Sequence, residues 1–133
     1  MRDLLTAMLF WSIGSCCMGQ SDTLTSVVPV QEITPQQLQA MLGGSTVRVI
    51  DVNDEDNYNE AHVPGAKRLE YDAITMDAIA SDKKDALVFY CWSQECPAAG
   101  MAAETAAGLG FTHVYCMHAG ITGWQDAGLP TEP

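Results

Sequence analysis

Residues 86–97 read Ala-Leu-Val-Phe-Tyr-Cys-Trp-Ser-Gln-Glu-Cys-Pro, and their interpretation decides the fold. Ala86 to Tyr90 is a continuous apolar run of the length and composition expected of a strand buried on both faces. Cys91 ends that run. The loop Trp92-Ser93-Gln94-Glu95-Cys96 follows, and Pro97 at the first helical position opens an Ala-rich segment, Pro97 to Leu109, that stops around Gly108 and Gly110. A strand, a short loop and then a helix is the unit from which parallel sheets are built.

Working outward, the same alternation recurs on both sides. Thr34-Pro35-Gln36-Gln37 is a helix start, with Thr34 as N-cap, Pro35 at the first helical position and Gln37 closing a capping box. Leu38, Met41 and Leu42 supply the apolar stripe, and Gly43-Gly44 ends the helix. Val47 to Val52 is a β-branched strand. Asn53 to Glu60 is read as a loop with one helical turn, Pro64-Gly65 as a turn and Ile74 to Ala80 as a small helix. Thr112 to Cys116 is a third strand and Gly120 to Ala127 a last helix carrying Trp124. The order predicts an α/β fold, a parallel sheet with helices on both faces. Trp124 is expected in the core, His62 in a structural role and His113 at the surface.

Composition limits the function. The chain of 133 residues is about one domain's worth, 47% apolar and 17% charged. Seventeen acids against six bases give a net charge of −11. No nucleic-acid partner is expected, because such a partner needs a basic face. Five cysteines are too few and too irregular for a disulfide scaffold. No cofactor and no metal are expected: Cys91, Cys96, Cys116 and His118 are soft ligands, but no spacing demands a site.

The amino end is a different kind of sequence. Arg2 precedes a mostly apolar stretch, Leu4 to Ile13, with Gly14 and Ser15 behind it. That length suits a signal peptide and falls short of the ~20 residues of a spanning helix. Ile13-Gly14-Ser15-Cys16 resembles the lipobox of bacterial lipoproteins, which implies lipidation at Cys16. The expected organisation is a signal peptide over 1–15, a tether over 16–31 and one domain over 32–133. The expected location is the cell envelope or periplasm, with membrane attachment through the Cys16 lipid; an ordinary signal peptide is the alternative.

Cys91 carries the chemistry. Ligands of open α/β sheets bind outside the carboxyl ends of the strands, where this cysteine falls. Loop N–H groups backed by a helix amino terminus cradle an anion and favour thiolate over thiol. A thiolate facing such a cradle suits nucleophilic attack. The alternative is a small buried residue finishing a strand.

Three segments resemble single-domain rhodaneses over about residues 31 to 131. They are Asp51-Val52 with Tyr58 and Ala61-His62-Val63-Pro64-Gly65-Ala66; Val88-Phe89-Tyr90-Cys91 with its loop and helix; and Val114-Tyr115, Ala119-Gly120-Ile121, Trp124 and Gly128-Leu129-Pro130. The resemblance implies a five-stranded parallel sheet flanked by helices. It also implies sulfur transfer through a persulfide on Cys91, from a small donor (thiosulfate, a persulfide or a polysulfide) to a thiol acceptor, with Trp92, Ser93, Gln94 and Glu95 as the substrate-binding loop.

The sequence departs from that pattern at informative places. Asn53 stands where the family's Asp-Val-Arg has arginine. No Arg or Lys follows Cys91, and Glu95 is acidic, so thiosulfate, a dianion, should bind weakly. Cys96 stands where the family often has arginine. It is expected to resolve the Cys91 persulfide, releasing sulfide and leaving a disulfide. A loop splayed as an anion cradle is expected to hold the two cysteines slightly too far apart for a relaxed bridge. Two other readings stay open: a non-catalytic module that binds a partner or senses redox state, and a thiol-disulfide oxidoreductase using Cys91 and Cys96.

Overall fold

The structure, a computed structural model, describes residues 28–133. The stretch read as an export segment, Cys16 and the expected tether up to residue 27 lie outside the described residues. In chain order the elements are β1 (Gln31–Glu32), α1 (Pro35–Met41), β2 (Val47–Asp51), α2 (Glu55–Glu60), β3 (Lys67–Arg68), α3 (Met76–Ile79), β4 (Ala86–Tyr90), α4 (Ala98–Gly108), β5 (His113–Met117) and α5 (Gly120–Asp126).

Local chemistry accounts for most boundaries. The Thr34 hydroxyl accepts from the Gln37 N–H at 3.1 Å, and the Gln37 side chain accepts from the Thr34 N–H at 2.9 Å. This is the reciprocal box that starts α1, with Pro35 behind it. Residues 53–60 form more helix than their sequence suggested. Asp54 caps the Asn57 N–H at 2.8 Å, and Glu55 and Asp56 in the first turn favour the positive end of the dipole. Pro97 is the N-cap of α4 rather than its first residue.

The five strands are all parallel, in the order β1-β5-β4-β2-β3. β4, the most apolar, lies at the centre. Because side chains alternate along a strand, the sheet has two core faces. Ile50, Leu87, Phe89, Val114 and Cys116 pack with α3, α4 and Phe111 on one side. Val49, Val88, Tyr90 and Met117 pack with Leu38 of α1 and Ile121 and Trp124 of α5 on the other. Alanines 99, 102, 103, 106 and 107 bury the inner face of α4 and let it lie close on the sheet. Trp124 is fully buried, its indole N–H donating to the Pro130 carbonyl at 2.8 Å.

β1 and β3, two residues each, were not foreseen as strands from their own residues. β1 begins at Gln31, in the stretch read as tether, and pairs with Tyr115 and Cys116 of β5. β3 pairs with Ile50 and Asp51 of β2. Such short edges have no periodicity of their own to read; the neighbouring strand supplies their ladder.

Candidate active site

The parity of β4 points Leu87, Phe89 and Cys91 to the α4 side of the sheet, and Cys91 is only 5% exposed. The loop after it turns tightly, the Cys96 N–H donating to the Ser93 carbonyl at 3.0 Å. Cys91 and Cys96 are bonded through their sulfurs, with Cα atoms 6.2 Å apart. That separation lies within the ordinary ~4.4–6.8 Å range of disulfides. The expectation that the loop would hold the pair too far apart is therefore corrected: the Ser93–Cys96 turn folds the chain back on itself.

The start of the loop is clamped by the end of β5 and the start of α5. The Ile121 N–H donates to the Cys91 carbonyl at 3.0 Å, and the Thr122 N–H donates to the Trp92 carbonyl at 3.1 Å. Gly120 makes this approach possible. It sits at φ +67°, and a Cβ there would fall 2.6 Å from the Trp92 carbonyl carbon and oxygen. Trp92 is 40% exposed, while Gln94 and Glu95 project outward. Ser93, Gln94 and Glu95 line a cleft of about 440 Å³ with Ala119, Thr122, Gly123 and Asp126 of the α5 side. Its rim carries two carboxylates and no cation.

Behind Cys91 lies a buried polar cluster from the end of β2. Asp51 accepts from the Tyr90 hydroxyl at 2.6 Å and from the Asn53 N–H at 2.7 Å. Tyr90 in turn accepts from the Val63 N–H at 3.0 Å. Burial raises the Asp51 carboxyl above its usual range, against the lowering effect of those donors. Burial, then the Asp51 charge, pushes the Tyr90 phenol well up. Asn53 sits beside this cluster with its Oδ1 3.6 Å from Cys91 Sγ. Sequence reasoning noted Asn53 only as a missing arginine; nothing in its local pattern signals the contact.

The other sequence candidates make no hydrogen bond to Cys91 or Cys96. Cys116 is buried on β5, its thiol pushed up to about 12 by burial and then by Glu32. His118, just past β5, donates from Nδ1 to Glu32, and its Nε2 lies 3.9 Å from where a Cβ on Gly100, in the first turn of α4, would sit. Among the described residues no group of three or more His, Cys, Asp or Glu is placed to hold a metal ion. His62 is a buried structural residue, stacked on Tyr58 and donating from Nδ1 to the Tyr58 carbonyl at 2.8 Å.

Comparison with known proteins agrees with this architecture. Residues 34–127 match the rhodanese-like domain family. The thiosulfate sulfurtransferase GlpE of Shewanella oneidensis is 25% identical over 101 residues, covering 73% of this chain and 94% of that one. Among solved structures, the BH2092 protein of Bacillus halodurans is 28% identical with a TM-score of 0.70, over 77% of this chain and 76% of the other. The rhodanese-like domain of the Alr3790 protein from Anabaena is 25% identical with a TM-score of 0.66, over 78% and 80%. A parallel sheet of this order, a cysteine closing its central strand and a family match over most of the chain lead to one assignment: the chain belongs to the rhodanese-like domain family.

Proposed function

We propose that the protein is a sulfurtransferase in which Cys91 takes up a sulfane sulfur and Cys96 discharges it. The observation that carries the reading is the pairing of the two cysteines across one short loop, at the carboxyl end of the central strand and in front of α4. The similarity to proteins named thiosulfate sulfurtransferase supports the reaction class.

The Cys91 thiolate attacks the outer sulfur of the donor, the bond to the donor's leaving group breaks, and Cys91–S–S⁻ forms. A thiol acceptor can take the outer sulfur directly. Otherwise Cys96 attacks Cys91 Sγ, its thiol proton goes to the departing sulfur, and hydrosulfide and the Cys91–Cys96 disulfide result. Two equivalents of an external thiol then restore the reduced pair. Glu95 and Asp126 on the cleft rim favour an organic persulfide or polysulfide donor of low charge over thiosulfate, a dianion. The proposal includes location: export and lipid attachment through Cys16, checked by labelling cells with a fatty-acid analogue and finding label lost in Cys16→Ser.

The test is mass spectrometry of the reduced protein after incubation with polysulfide or thiosulfate, trapping thiols with an alkylating reagent. Added sulfur should appear on the Cys91 peptide, persist longer in Cys96→Ser, and in the wild type give way to the disulfide. Equal persulfide lifetimes with no disulfide recovered would remove Cys96 from the mechanism. The bridge itself favours a second reading, thiol-disulfide exchange. Rapid reduction of a protein disulfide by the reduced pair, with no sulfur taken up from any donor, would establish that reading instead.

A further inference from the structure

Asn53 is the buried residue whose polar groups the fold leaves half used. Its backbone is held from two sides: the N–H donates to Asp51 Oδ1 at 2.7 Å, and the carbonyl accepts from Arg68 Nε at 3.1 Å. The side chain is shut off from solvent, at 4% exposure. Its Nδ2 has no hydrogen-bond partner among the described residues. Its Oδ1 faces Cys91 Sγ at 3.6 Å, within reach of a sulfur hydrogen bond.

The chemical state of Cys91 decides what that contact is. Bridged to Cys96, the sulfur has no hydrogen to donate, and oxygen and sulfur merely face each other. Reduced, the thiol S–H donates to Oδ1. Ionised or carrying a second sulfur, Cys91 becomes an acceptor. A half-turn about χ2 then exchanges the two ends of the amide, which have nearly the same shape, along a broad and roughly two-fold torsion. The donor that the fold leaves unpaired would thereby meet the anion that the reaction creates. A buried donor without an acceptor is costly, and a hydrogen bond to a charged acceptor is stronger than a neutral one. Asp51 competes for the same amide: the Asn53 side chain favours its charged form, and its oxygens keep lone pairs free beside those that accept from the Asn53 N–H and the Tyr90 hydroxyl, so the rotation is driven only when an anion forms on Cys91.

We propose that Asn53 is a catalytic residue whose carboxamide accepts from the Cys91 thiol and, once rotated, donates to the Cys91 sulfur as thiolate and as persulfide. It takes over from the cation that the loop lacks. The inference rests on Cys91 being the nucleophile of the proposed function. Around Cys91 the other ionisable groups are Asp51 on β2, Glu95 in the loop and Asp126 on α5, which oppose an anion. Arg68 on β3, reaching the Asn53 carbonyl, favours one. Cys116, in the same core cluster, and the Glu32–His118 pair lie on the β1–β5 side, and Tyr90 and His62 act on Cys91 through Asp51.

The experiment follows iodoacetamide alkylation of Cys91 against pH in reduced full-length protein, resolved by peptide mass, with Cys96→Ser as the reference. Adding Asn53→Leu should move the midpoint of the profile up by about one unit, an about tenfold slower reaction near neutral pH. Asn53→Asp, the same shape with a like charge, should move it further. Profiles that overlay the reference in Asn53→Leu overturn the proposal, and Asn53→Ala, which also removes the amide without adding a charge, decides if Asn53→Leu fails to fold. The two readings separate cleanly. A shifted profile in a protein that takes sulfur from no donor keeps Asn53 as the partner of Cys91 and removes sulfur transfer. Unshifted profiles with normal sulfur loading do the reverse.

Discussion

Asp51 and Asn53 lie two positions apart at the end of β2, both buried, and the fold uses them in opposite ways. Both carboxylate oxygens of Asp51 are engaged, and they tie β2 to Tyr90 of β4 and through it to Val63. Asn53 keeps its amide nitrogen unpaired and turns its oxygen to the one cysteine that ends a central strand. A fully satisfied buried network rigidifies the place where it sits. An unsatisfied group beside a reactive sulfur has free capacity that only a change in that sulfur can use. The contrast separates a residue that holds the site from one that the proposal puts to work in it.

The largest effect should come from removing the sulfur. Cys91→Ser should abolish persulfide formation while unfolding at nearly the temperature of the reduced wild type, in which the Cys91–Cys96 bridge is also absent, because the Asp51 network does not include it. Mass analysis after exposure to a polysulfide, paired with a thermal melt, checks both halves; sulfur loading at the wild-type rate would remove Cys91 from its role. Gly120→Ala comes next. Its Cβ would meet backbone rather than a yielding side chain, and its positive φ disfavours any L residue. The loop must shift, so sulfur loading should fall about tenfold with a stability loss of about 1–3 kcal/mol. Unchanged loading would mean that the clamp on the Cys91 and Trp92 carbonyls does not position the nucleophile.

Tyr90→Phe tests the scaffold side of the comparison. It leaves the Val63 N–H and an Asp51 oxygen unpaired in the core, at a cost of about 1–3 kcal/mol read from the urea midpoint. Sulfur loading under native conditions should stay within about twofold, a change in barrier well under 1 kcal/mol. A collapse of loading without a loss of stability would merge the two clusters into one catalytic unit. The smallest effect is expected at the rim. Glu95→Arg should raise thiosulfate use severalfold and leave an uncharged organic trisulfide donor nearly unaffected. Equal rates on both donors in the wild type would undo the argument from charge.

Much of this architecture is written in local stretches of sequence. Thr34 to Gln37 announces a helix start because the residues that satisfy one another lie three apart. Ala86 to Tyr90 announces a buried strand because both its faces are apolar, and Cys91 falls at its carboxyl end by counting alone. Helix α2 was underestimated because its sequence has no apolar stripe; it buries no residue and is held by its Asp54 cap and by acids at its positive end. The loop between Cys91 and Cys96 was legible in content but not in shape, since the turn that brings the cysteines together combines the Ser93–Cys96 hydrogen bond with the clamp from Ile121 and Thr122, distant in sequence.

Periodicity, caps and the order of strands and helices record energies that act within a few residues, and these were enough to identify a parallel α/β sheet with a cysteine at its centre. The meeting of Asn53 and Cys91, 38 positions apart, follows from something else. It requires that β2 and β4 be neighbours and that Asp51 pair with Tyr90, so that the next residues emerge side by side at the carboxyl edge. Register is set by the packing of both faces of the whole sheet, and a slip of one residue would send every side chain of a strand to the opposite face. The same holds for Gly120, whose lack of a side chain matters only because β5 lies beside β4 and brings it against the loop. Contacts between distant segments are paid for by burial summed over the sheet, and no stretch of either segment carries that sum by itself.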